Sequence, residues 1–82
     1  MSQAEECSLA ESYGARCLPD VARGVGWCKF ELGDWLIWFC SRGWACAQLK
    51  GNMYVGHLYA KSLAEALAGV SALMIARSLL KE

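Results

Sequence analysis

The chain has 82 residues, 56% of them hydrophobic, and eight Lys and Arg balance eight Asp and Glu to a formal charge of zero. A chain of this length fits one domain and buries only about 60% of the surface it exposes when unfolded, so a second subunit or another support is expected. Balanced charge excludes the basic footprint that recognises phosphate backbones, so direct nucleic-acid binding is disfavoured and a protein partner or a second copy is favoured.

Five cysteines, Cys7, Cys17, Cys28, Cys40 and Cys46, are odd in number and form no CxxC pair. The N-terminus, MSQAEECSLAES, lacks the basic and apolar regions of a signal peptide. Both features point to a reduced, cytoplasmic protein. The longest apolar runs, Trp35 to Cys40 and Ala66 to Ala76, fall short of the ~20 residues that span a bilayer, so no membrane segment is expected.

Residues 2–13 carry a helix-start signal twice, Ser2 with Glu5 and Ser8 with Glu11, which predicts a short N-terminal helix. Gly14 and Pro19 break that pattern, and residues 14–24 read as a connector. Residues 25–60 parse as four strands joined by two-residue turns at Gly33-Asp34, Arg42-Gly43 and Gly51-Asn52. Gly at the first turn position suits type II′ and Gly at the second suits type I′, the turns whose twist matches a hairpin. Ser62 followed by Glu65 then opens a helix from Leu63 to Leu80, with a narrow row of Glu65, Gly69, Arg77 and Lys81 and a small-residue row of Ala64, Ala68, Ala72 and Ala76. The expected fold is one α+β domain: N-terminal helix and connector over 1–24, a four-stranded antiparallel meander over 25–60, and a C-terminal helix over 62–81 packed on one sheet face.

Two-residue turns pair Leu32 with Trp35, Ser41 with Trp44 and Lys50 with Met53, and these pairs sort the strands onto two faces. One face collects Cys28, Phe30, Leu32, Trp35, Ile37, Phe39, Trp44, Cys46, Gln48, Met53, Val55, His57 and Tyr59. The other has Ala45, Ala47 and Gly56 at its centre, a shallow trough on which the alanine row of the last helix is expected to lie. The first face then needs a cover, which the N-terminal segment, a second copy or a foreign protein would supply. Its Trp35, Ile37, Phe39, Trp44, Val55, His57 and Tyr59 are the candidate protein-binding residues, because Trp and Tyr are enriched among binding hot spots.

This register sets Cys46 opposite His57, the one histidine, but no carboxylate or amide shares the face to orient the imidazole, so no catalytic group is assigned. No ligand quartet assembles for a metal, and GVG at Gly24 to Gly26 lacks the spacing of a phosphate loop, so no cofactor, metal or small-molecule substrate is expected. Trp27, Trp35, Trp38 and Trp44 are not interleaved with Lys and Arg as a single-strand stacking platform requires.

The order helix, strands, helix, with AKSLAEAL opening the last helix, superficially resembles a double-stranded-RNA-binding domain, but the basic cluster of that family is reduced here to Lys61. GHLYA followed by KSLAEAL resembles the end of small antitoxins of the HicB type, over about a dozen residues and without that family's proline-containing strand motif. The compact meander with one packed helix and a spare aromatic face, over Gly26 to Glu82, looks like the small accessory proteins of phages and mobile elements, including anti-CRISPR proteins. That last resemblance rests on architecture and implies a non-enzymatic inhibitor or regulator in the cytoplasm of a host cell, acting on a larger protein or nucleoprotein machine. The alternative is an antitoxin-like or nucleic-acid-binding regulatory module.

Overall fold

A computed structural model of the chain describes residues 1–80. It is an α+β fold in which helix α1 (Gln3–Ser12) precedes five strands, β1 (Arg16–Pro19), β2 (Cys28–Leu32), β3 (Trp35–Cys40), β4 (Gly43–Lys50) and β5 (Met53–Ala60), and helix α2 (Leu63–Leu80) closes the chain. The strands form one antiparallel sheet in the order β1-β2-β3-β4-β5. Both helices start where the sequence signals them. Ser2 Oγ accepts from Glu5 N while Glu5 Oε1 accepts from Ser2 N, and at α2 Ser62 Oγ accepts from Glu65 N. Lys81, the last member of the expected polar row, lies outside the described residues.

The sheet has one strand more than expected. Residues 16–19, read as connector, pair with β2 through Arg16–Glu31, Cys17–Phe30, Leu18–Lys29 and Pro19–Cys28. Four residues are too few to show an alternation, and a proline is tolerated there because β1 is an edge strand whose outer side needs no ladder.

Two of the three turns close as predicted. Gly33 (φ +61) and Gly51 (φ +63) lie in turns that pair Leu32 with Trp35 and Lys50 with Met53. At the middle turn the chain pairs Cys40 with Gly43 and Phe39 with Trp44, so the loop residues are Ser41 and Arg42 rather than Arg42 and Gly43. Gly43 is required there for another reason: its φ is +102, and a Cβ would stand 2.6 Å from the Ala60 carbonyl oxygen. The pairing moves by two residues in total, so β3 and β4 keep the same faces.

At β5 the faces do exchange. Gln48 pairs with Val55 but Cys46 pairs with Leu58, so one extra residue is accommodated around Gly56 and His57. Gly56, with φ +67, supplies the left-handed residue that such a bulge takes. Beyond it Leu58 and Ala60 join the face of Cys46 and Trp44, while Tyr59 stands opposite Ala45 on the other face. The expected Cys46–His57 pair is therefore not formed.

The helices choose the face opposite to the one expected. Phe30, Leu32, Trp35, Ile37, Trp44 and Cys46 form the core with Ala10 of α1 and Leu63, Ala66, Leu67 and Val70 of α2. An aromatic ring buries about 150–250 Å², far more than an alanine trough offers, and that difference decides which face is covered. The alanine row of α2, Ala64, Ala68, Ala72 and Ala76, points to solvent instead.

The connector between β1 and β2 closes on itself: Asp20 N donates to the Trp27 carbonyl, and Arg23 N and Gly24 N donate to the Asp20 carbonyl. This loop delivers Arg23 into the end of the core. Its guanidinium binds Glu6 through both nitrogens, at 2.6 and 3.0 Å, and lies 3.9 Å from the Trp27 ring, 4.7 Å from Phe39 and 5.0 Å from Trp44. Glu6 is 3% exposed although it belongs to a polar ten-residue helix.

Removing one partner of such a pair leaves the other charge without compensation. Glu6→Ala is expected to cost about 3 kcal/mol in urea unfolding, while Glu5→Ala, on the exposed cap, should move the midpoint far less. Gly43→Ala meets both a left-handed backbone and the Ala60 carbonyl, so its unfolding midpoint should fall by the equivalent of about 2 kcal/mol or more. Gly51→Ala, with nothing within 4 Å of the added methyl, should cost nearer to about 1 kcal/mol.

Candidate protein-binding face

With both helices on one side, the other side of the sheet is open. Leu36 and Trp38 of β3 form one bank of a stripe, Tyr54, His57 and Tyr59 of β5 form the other, and Ala45 and Ala47 of β4 are the floor between them. Pleat alternation puts Leu36, Trp38, Ala45 and Ala47 here because their neighbours Ile37 and Cys46 face the core. The bulge is what brings His57 and Tyr59 to the same side. His57 then meets the Trp38 ring edge-on, 6.1 Å between centroids.

The two alanines are buried without any element above them, since the larger side chains on either bank close over so small a floor. The β5 bank is open to solvent, with Tyr54 49% and Tyr59 50% exposed, as is Leu49 at the turn end of β4, 41%, while Leu36 and Trp38 of the β3 bank are half-buried. A pit of about 40 Å³ between Leu36, Leu49 and Tyr54 marks that end of the stripe. The opposite end carries Arg42, whose guanidinium lies 5.5 Å from the Tyr59 ring.

Charge is confined to the margin. Arg16 Nη2 binds Glu31 Oε1 at 2.9 Å on the β1–β2 flank, and both side chains are largely exposed, so the bridge adds little stability. The stripe itself carries an imidazole and two phenol hydroxyls as hydrogen-bonding groups on an otherwise apolar ground. Such a surface binds by burying area and fixes orientation with a few polar contacts, the composition found at protein interface cores.

The residues singled out from sequence divide three ways. Trp35, Ile37 and Trp44 lie in the core under the helices, 5%, 0% and 5% exposed, and are not on an open face. Phe39 and Val55 share that inner side, where Phe39 is exposed at the edge beside Arg23 and Val55 is half-buried. His57 and Tyr59 alone among the seven reach the open face. Leu36, Trp38, Leu49 and Tyr54 were assigned to the helix-covered side by the expected packing and are the ones left uncovered. Gly56 in the interior of a strand was the signal for the bulge that brings Tyr59 to that face.

The thiols occupy two settings. Cys7 of α1 and Cys28 of β2 face each other with 3.7 Å between Sγ atoms, and Cys17 of β1 completes a half-buried group of three. Burial, and then the neighbouring thiols Cys17 and Cys28, push the Cys7 thiol up to about 12. Burial alone pushes Cys46, packed in the core, up to about 11. Protonated thiols are poor nucleophiles and poor metal ligands. Among the described residues no group of three or more His, Cys, Asp or Glu is arranged to hold a metal ion.

Comparison of the chain with protein-family models, curated proteins and solved structures finds no match. Its functional reading therefore rests on the surface just described.

Cys7 and Cys46 hold their protons more tightly in the folded chain than at the ordinary value of 9.0. Folding thus favours the neutral thiols, and their contribution is complete below pH 9 and lost as pH rises toward 11 and 12. The urea midpoint should fall between about pH 9 and 11, and Cys46→Ala should flatten part of that slope.

Proposed function

We propose that the chain is a small binding protein that acts without catalysis, as an inhibitor or regulator occupying a surface on a larger protein or nucleoprotein assembly. The observation that carries this reading is the open stripe of Leu36, Trp38, Leu49, Tyr54, His57 and Tyr59, left uncovered while both helices cover the opposite face. A two-layer fold normally turns polar residues outward on an uncovered antiparallel face. Here three aromatic rings and two leucines stand there instead, at a cost in solubility that a bound partner offsets.

The pit beside Leu36, Leu49 and Tyr54 holds only about 40 Å³, which suits contact with a broad protein surface better than a small molecule held in a concave site. The rim of the stripe mixes Arg16, Lys29 and Arg42 with Glu31 and Asp34 and forms no continuous basic patch, which is compatible with a protein partner. The anti-CRISPR type of accessory protein, working in the cytoplasm of a host cell, is the kind of molecule that this reading resembles.

The test is capture of protein from host-cell lysate on the immobilised chain, with wild type compared to a Tyr54→Ser/Tyr59→Ser double variant, the two side chains being 49% and 50% exposed. Both side chains are surface groups, so the variant should keep the wild-type unfolding transition. Loss of two hot-spot rings should weaken capture about 30-fold or more, the equivalent of roughly 2 kcal/mol. Retention that survives about 0.5 M salt supports an apolar protein contact. Equal capture by the variant, or a steep fall of binding with salt together with co-purified nucleic acid, would sink the proposal.

A further inference from the structure

The second unpartnered surface is α2 itself. The helix is 18 residues long and, by length and composition, apolar enough to cross a membrane, yet only 22% of it is buried in this fold. Leu63, Ala66, Leu67 and Val70 hold the core, while Leu73, Ile75 and Leu79 are 38%, 60% and 69% exposed. Between α2 and β5 runs an apolar groove of about 350 Å³, walled by Glu65, Gly69 and Leu73 on the helix and by Leu58 and Tyr59 on the strand.

The helix wall of that groove is complementary to itself. Residues 65, 69, 73 and 77 form one four-residue ridge, Glu-Gly-Leu-Arg, and residues 64, 68, 72 and 76 form the adjacent ridge, all alanine. Turned end for end about a two-fold axis at Ser71, the first ridge meets its own copy with Glu65 beside Arg77 and Gly69 beside Leu73, each pair occurring twice. Opposite charges meet, and the ridge's one apolar side chain, Leu73, meets the position without one. Nothing lies within 4 Å of where a Cβ on Gly69 would be, so the space for a leucine is present. The alanine ridge gives that leucine a shallow groove to enter. Arg77 is free to turn, because its contact with Asp34 is 3.9 Å long and exposed on both sides.

We infer that a second copy of this chain docks in the groove, α2 against α2 in antiparallel orientation, with ridges interlocked at the steep crossing angle that four-residue ridges produce. Lipid is the competing occupant of an apolar helix. Entry into a bilayer would strip Leu63, Leu67 and Val70 from the core and carry Glu65 and Arg77 with them, whereas the dimer leaves the core intact and pairs both charges. At that crossing angle the contact is confined to the ridge from Glu65 to Arg77, about 18 Å of helix axis, and is about two helix diameters wide. That outline is under about 400 Å² per copy, below most specific interfaces, so the dimer should be weak and readily reversible. It leaves Leu36, Trp38, Leu49 and Tyr54 of the stripe free, with Tyr59 alone shared between the two surfaces.

The experiment is sedimentation equilibrium on the reduced wild-type chain from about 5 μM to about 1 mM, a range that brackets this class of interface. The expected result is a shift from the 9.0 kDa monomer toward twice that mass. Gly69→Leu fills the space and improves helix propensity, so it cannot act by unfolding α2; it should raise the dissociation constant at least tenfold. Glu65→Arg and Arg77→Glu should each do the same alone, and mixing the two variants should restore the dimer, since every ridge end then faces its opposite. A wild-type chain that stays at 9.0 kDa throughout, a dimer indifferent to Gly69→Leu, or a chain that floats with phosphatidylcholine vesicles in preference to dimerising overturns the inference.

Discussion

Arg23 and Glu6 form the contact on which the arrangement of this protein turns. The guanidinium is bound by both carboxylate oxygens and enclosed by Trp27, Phe39 and Trp44, so one side chain of a connector ties α1, the start of β2, the end of β3 and the start of β4 together. Desolvating two charges is costly, and an ion pair of this kind adds less net stability than its geometry suggests. Its effect is on choice. Once Glu6 must reach Arg23, α1 can lie only on the side of the sheet where Trp44 points, and that side is then shared by both helices. The open aromatic stripe on the far side follows from this commitment.

A second constraint is local. The bulge at Gly56 and His57 turns Leu58 and Ala60 to the helix side, where Ala60 packs on the core and Leu58 walls the groove beside α2, and turns His57 and Tyr59 outward. Without it the end of β5 would present an imidazole and a phenol to the core beside Trp44 and Cys46, and Leu58 to solvent. One residue in a left-handed conformation thus improves both faces together, lining the groove beside α2 and completing the outer stripe.

Much of this was legible in the chain. The bounds of α2, the cap of α1, the Gly33 and Gly51 turns and the face membership of β3 and β4 all follow from spacing, since each is set by groups within a few residues of one another. What could not be read depends on contacts between distant residues. The Glu6–Arg23 pair spans 17 positions with no pattern to announce it. The choice of face by the helices depends on that pair and on the bulk of Phe30, Ile37 and Trp44, whereas the alanine rows in α2 and β4 suggested a mutual fit that the fold does not use. β1 was missed because Gly14 and Pro19 punctuate a segment that is held by its neighbour rather than by its own propensity. Of the binding residues proposed from sequence, His57 and Tyr59 are on the open face because the two lists exchange at the bulge, and Trp35, Ile37 and Trp44 serve the core.

The same bulge bears on how the molecule behaves in a crowded solution. β5 is an edge strand of eight residues with no Lys, Arg, Asp, Glu or Pro, the composition that most readily recruits further strands and seeds fibrils. The opposite edge is guarded by shortness, by Arg16 and by Pro19. On β5 the left-handed step at Gly56 breaks the outward row of N–H and C=O groups near its middle and bends the strand, so an incoming chain finds two short registers instead of one long one. Backbone shape thus disfavours cross-β growth, and the apolar side chains of this edge remain available for other contacts.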